Sequence, residues 1–93
     1  MSQARNLPAV QALLSELPEG WNDSSWHNDE YDSVQLDISD TKEYRIWIID
    51  NEGEELKYNL WLFEGIHVEN QKELIEPVEK AVFLQKIKEI KFS

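Results

Sequence analysis

The sequence predicts an α+β fold: a three-stranded antiparallel meander with a short N-terminal helix and a longer C-terminal helix packed on the sheet (α-β-β-β-α). Two observations support this prediction. Residues 44–63, YRIWIIDNEGEELKYNLWLF, place large apolar side chains at alternate positions on either side of a turn, as a β-hairpin does. Apolar residues also recur at helical spacing near both ends of the chain.

The N-terminal helix is predicted from Pro8 to about Glu16. Proline suits the first turn of a helix, and Val10 and Leu13 follow at helical spacing. A proline and a glycine soon after Glu16 would end the helix. Residues 1–6 are expected to be frayed.

Residues 21–32, WNDSSWHNDEYD, are rich in Asn, Asp and Ser and predict a loop. Trp21 and Trp26 are expected to fold back over a face of the sheet, near Trp47 and Trp61. The alternative is that this loop is an acidic, aromatic recognition element.

The first strand is predicted over residues 32–39, where apolar and polar residues alternate. Its polar side favours an edge position, and the strand that begins at Tyr44 is then central. In the hairpin, a three-residue loop over 51–53 would pair Ile46 with Tyr58 and keep apolar residues opposite one another. Glycine at the last loop position suits the positive φ that this loop requires.

The second face of the hairpin carries four large apolar residues, namely Trp47, Ile49, Trp61 and Phe63. In a sheet with one buried face these side chains would be left in water. We expect the chain's own helix or N-terminal segment to cover them; the alternative is a partner or a second copy of the chain.

The C-terminal part is predicted to be mainly helical. Gly65 interrupts the last strand, which residues 66–68 would extend past a bulge. Residues 70–76 predict a short helical turn, and a helix from Pro77 to about Ile90 is the best candidate to cover the sheet.

Length and composition limit the class of protein. A chain of 93 residues predicts one small domain, and an apolar fraction of 41% is too high for a disordered chain. No apolar run is long enough to span a membrane, and the first residues lack the pattern of a signal peptide. Cysteine is absent, which excludes disulfides, and a cytoplasmic location is the simplest expectation.

The net charge of −10 is unevenly distributed. Residues 16–40 contain eight acids and no Lys or Arg, the hairpin tip adds further acids, and the last residues are basic. This distribution predicts attraction to basic surfaces and repulsion of nucleic acids and anionic membranes.

Catalytic, cofactor and metal sites are not predicted. The two histidines are His27 and His67; the first lies among acids whose spacing fits no standard metal site, and the second alternates with apolar residues. An enzyme or a small-ligand binder is the least favoured class.

The sequence therefore predicts a small acidic protein-interaction domain, such as an inhibitor or immunity-type protein that docks on a basic partner. The alternative is a self-associating structural or regulatory domain, for example a homodimer. The candidate partner-binding residues are Trp26, Asp29, Glu30, Asp32, Trp47, Glu52, Glu54 and Trp61.

Overall fold

The structure is a computed structural model that describes residues 4–66 and 70–92. Within these residues five strands form one antiparallel sheet, in the chain order β1-β2-β3-β4-β5. The elements are α1 (Leu7–Glu16), β1 (Trp21–Asp23), β2 (Asp32–Ser39), β3 (Lys42–Ile49), β4 (Lys57–Glu64), β5 (Asn70–Glu79) and α2 (Lys80–Ile87). The α+β class, the antiparallel sheet and a helix near each end are confirmed. The predicted sheet of three strands is wrong.

Both helices contribute to one hydrophobic core, on one face of the sheet. Alternation along β3 and β4 directs Ile46, Ile48 and Leu60 into this core. α1 packs beside β1 and β2, and α2 packs beside β4 and β5. Leu13 of α1 and Phe83 of α2 are fully buried, so each helix closes its half of the core.

The β3–β4 register differs from the predicted one by two residues. Ile46 pairs with Leu60, and Ile48 pairs with Tyr58, which leaves a longer loop than the predicted three residues. A shift of two keeps every side chain on the same face, so the faces are as predicted. Gly53 has a φ of +80°, as the predicted turn requires.

β1 occupies part of the predicted loop over residues 21–32. Trp21 pairs with Leu36, is buried, and meets the ring of Phe92 edge-on at 5.4 Å between centroids. It therefore lies on the helix side and not near Trp47 or Trp61. Because β1 pairs with β2, the predicted edge position of β2 is also wrong. A strand of three residues is too short to show an alternating pattern.

β5 replaces the predicted helical turn over 70–76 and the start of the predicted helix at Pro77. Its pairing with β4 shifts register twice, which inserts extra residues into β5. Leu74 and Ile75 are neighbours, yet both pack on the core. These bulges give the strand apolar residues at a spacing that resembles a helix. α2 begins only at Lys80 and is shorter than α1, not longer.

α1 begins close to its predicted start. Asn6 is its N-cap, and the Ala9 backbone N–H donates to the Asn6 Oδ1 at 3.2 Å. Residues 67–69 lie outside the described residues, so most of the predicted strand extension over 66–68 falls there. Gly65, which precedes them, has a φ of +111°.

Leu60→Ala is expected to lower the free energy of unfolding by about 2–5 kcal/mol, because it leaves a cavity at a fully buried position. Ile66→Ala is the matched control: this side chain is 78% exposed, and we expect a change within about 0.5 kcal/mol. Urea denaturation measures both. Equal losses in the two variants would contradict the placement of the core.

Candidate functional site

The face of the sheet opposite the helices carries a cluster of large apolar side chains. Trp47 and Ile49 of β3 and Trp61 and Phe63 of β4 lie on this face and are half-buried. Both helices contribute their buried residues to the core on the opposite face. Of the two covers expected, the chain's own helix or its N-terminal segment, the helix is therefore wrong within the described residues.

One wall beside this cluster comes from the loop between β1 and β2. Asp29, Glu30 and Tyr31 of that loop line a groove of about 490 Å³ together with the apolar cluster. We call this cavity the aromatic groove. The Tyr31 hydroxyl donates to the Asn51 Oδ1 at 3.0 Å, so the acidic loop and the acidic hairpin tip meet at one end of the sheet.

Arg45 lines the aromatic groove, opposite Trp61 on the adjacent strand. Its guanidinium carbon is 5.4 Å from the centre of the Trp47 ring and 5.7 Å from that of Phe63, within the range of cation–π attraction. Its Nη2 donates to the Gln35 Oε1 at 2.5 Å and lies 3.3 Å from the Glu43 Oε2. Its Nε is buried and has no partner among the described residues.

The acidic loop is fastened to the segment before α1. The Asp32 carboxylate accepts hydrogen bonds from the backbone N–H groups of Arg5 and Asn6, with each nitrogen 2.9 Å from a carboxylate oxygen. The Arg5 guanidinium donates to the backbone carbonyls of Glu30 and, at 3.2 Å, of His27. These bonds fix the wall that carries Asp29 and Glu30.

Half of the eight sequence-predicted site residues meet at the aromatic groove; these are Asp29, Glu30, Trp47 and Trp61. Trp26 belongs to the same loop, is 48% exposed, and has its ring 4.8 Å from that of His27. Asp32 is buried, where it accepts the two backbone N–H groups. Glu52 and Glu54 are exposed at the hairpin turn, outside the groove.

Six residues that line the groove were not among the eight predicted site residues: Tyr31, Arg45, Ile49, Asn59, Phe63 and Gln71. The alternation that places Trp47 on this face also places Arg45 there, opposite Trp61. The position of Arg45 on this face could therefore be predicted from the strand pattern. Phe63 shares the face by the same rule. Tyr31 lies in a loop, where no periodic pattern indicates the direction of a side chain.

Titratable groups on this structure do not converge on a metal site: the part of the chain that the structure describes has no group of three or more His, Asp or Glu that could hold a metal ion. His67 lies outside that part.

On the helix side of the sheet, burial raises the pKa of Tyr58, while the nearby Lys80 charge lowers it and Glu16 raises it. Over residues 4–66 and 70–92, no helix is long and apolar enough to cross a membrane.

Comparison with known proteins gives no relative: no family model, curated protein sequence or solved structure matches the chain. A functional proposal therefore rests on the geometry and charge of the aromatic groove.

Asp32→Ala is expected to lower the free energy of unfolding by about 1.5–3 kcal/mol, because two backbone N–H groups lose a charged acceptor. Amide exchange at Arg5 and Asn6 should accelerate in the same variant. Glu52→Ala removes an exposed carboxylate and should change stability by about 0.5 kcal/mol or less. Unchanged exchange at both amides would contradict the fastening role of Asp32.

Proposed function

We propose that the protein is a small interaction domain that binds a basic protein partner through the aromatic groove. The observation that carries the proposal is the placement of Trp47, Trp61 and Phe63 on the helix-free face beside the acids of the loop wall. Aromatic residues are enriched where proteins bind one another, and a half-buried aromatic cluster that no helix covers is a typical docking surface.

Charge supports a basic partner. The chain carries a net −10, and the groove wall and hairpin tip bring Asp29, Glu30, Glu52 and Glu54 to one end of the sheet. An acidic field of this kind accelerates association with a basic surface and suppresses binding to nucleic acids and anionic membranes. Inhibition of a basic, nucleic-acid-binding protein is one activity that such docking would produce.

Self-association is the weaker alternative. Two copies that met face to face at the aromatic groove would bring four carboxylates, those of Asp29 and Glu30 from each copy, into one interface. Pairing through the exposed edge of β5 is disfavoured by the charges of Lys72 and Glu73 and by Pro77, which lacks an N–H donor.

Capture from a lysate of the source organism, read by mass spectrometry, tests the proposal with four baits: the wild type, Trp61→Ala, Val82→Ala and Asp29→Lys/Glu30→Lys. We expect the wild type to recover a basic protein at low salt and less of it at high salt, because charge attraction is screened. Trp61→Ala and the double charge reversal should lose it. Val82→Ala changes an exposed apolar residue of α2 and should retain it.

Circular dichroism must first show that each variant is folded. Recovery of the same basic protein by wild type and Trp61→Ala alike would contradict a docking role for the aromatic groove. Recovery of only the untagged chain, at both salt concentrations, would support the self-associating alternative instead.

A further inference from the structure

We propose that the aromatic groove receives one arginine side chain of the basic partner, stacked on Trp61 and paired with the carboxylates of Asp29 and Glu30. This inference rests on the proposed function and specifies the chemistry that the groove recognises. It follows from three observations on the groove itself: how it holds Arg45, which ring is left open, and where the unpaired charge lies.

Arg45 shows that this face accommodates a guanidinium between aromatic rings. It lies within cation–π distance of Trp47 and Phe63, whose rings are on adjacent strands. Trp61 continues the row: its ring is 6.3 Å from that of Phe63, at an interplanar angle of 24°. The Trp61 side chain is half-buried, and no cation lies over its ring among the residues that the structure describes, so a cation from outside would meet no competing cation on this ring.

The charge of Arg45 is already compensated within the chain. Its Nη2 is 3.3 Å from the Glu43 carboxylate and donates to Gln35, so its repulsion of a second cation is reduced. Asp29 and Glu30, by contrast, form no ion pair with any described residue. The uncompensated charge of the groove is therefore negative and lies in the wall beside the aromatic cluster.

Arginine fits these features better than lysine. Its planar guanidinium stacks on an indole and can pair with a carboxylate through two parallel N–H bonds, and it is more weakly hydrated than an ammonium group. The groove volume of about 490 Å³ falls within the range of roughly 300–1,000 Å³ that holds a small ligand.

Four short Gly/Ser peptides test this inference; they differ only in one central residue, which is arginine, citrulline, lysine or glutamate. Each is titrated into the ¹⁵N-labelled chain, and the readout is the set of four tryptophan indole N–H signals. Arginine should shift the signals of Trp47 and Trp61. The buried Trp21, on the helix side, should stay fixed.

Citrulline is the decisive control, because it keeps the shape of arginine and removes its charge. It should shift the same signals at least about fivefold less at equal concentration. Equal shifts with citrulline, larger shifts with lysine, or a preference for the glutamate peptide would each overturn the inference.

Two double variants that change the net charge equally test where the arginine of the peptide binds. Asp29→Asn/Glu30→Gln should weaken arginine-peptide binding by about threefold to tenfold, because the wall loses both carboxylates. Glu52→Gln/Glu54→Gln changes the net charge by the same amount outside the groove and should weaken it by about twofold or less. Equal effects of the two pairs would overturn the assignment of the site.

The peptide titration tests this inference and the capture experiment tests the proposed function, and either can fail without the other. A basic partner captured through Trp61, without an arginine-dependent shift, would leave the proposed function standing and remove this inference. An arginine-dependent shift at Trp47 and Trp61, without capture of a basic protein, would support the site and remove the proposed partner.

Discussion

The pairing of β3 with β4 decides which side chains the helices cover and which remain open. With Ile46 opposite Leu60, both fully buried, every second residue of the two strands enters the core. The intervening residues, Trp47 and Trp61 among them, are then on the other face by necessity. The core of this small chain and its candidate binding surface are therefore two consequences of one register. A slip by one residue would exchange them.

Local signals in the sequence predict part of this fold. Proline and the apolar spacing place α1 within a residue of its start, and alternation assigns the two faces of β3 and β4 correctly. The pairing itself was wrong by two residues, because loop length is not fixed by alternation. β1 is too short to show a period, and β5 contains bulges that give Leu74, Ile75 and Val78 a helix-like spacing.

The sequence predicts the candidate site in part, from strand alternation and from the acidic charge of the loop before β2. Trp47 and Trp61 follow from parity, and Arg45 follows from the same rule. Which acids of the loop join these residues depends on tertiary bonds. Asp32 is buried and holds the chain before α1, whereas Glu30, two residues earlier, lies on the groove wall. The sequence does not distinguish these two carboxylates. In the fold, Asp32 binds backbone N–H groups and Glu30 lines the groove.

Hydroxyl-radical footprinting of the four tryptophans, at low protein concentration, tests most directly whether one face of the sheet is open. Because all four side chains are tryptophans with the same intrinsic reactivity, a difference between their oxidation rates reports a difference in solvent exposure. We predict the fastest oxidation at Trp26, intermediate rates at Trp47 and Trp61, and the slowest at Trp21. Protection of Trp47 and Trp61 equal to that of Trp21 would show that this face is covered, and would contradict the existence of an open aromatic groove.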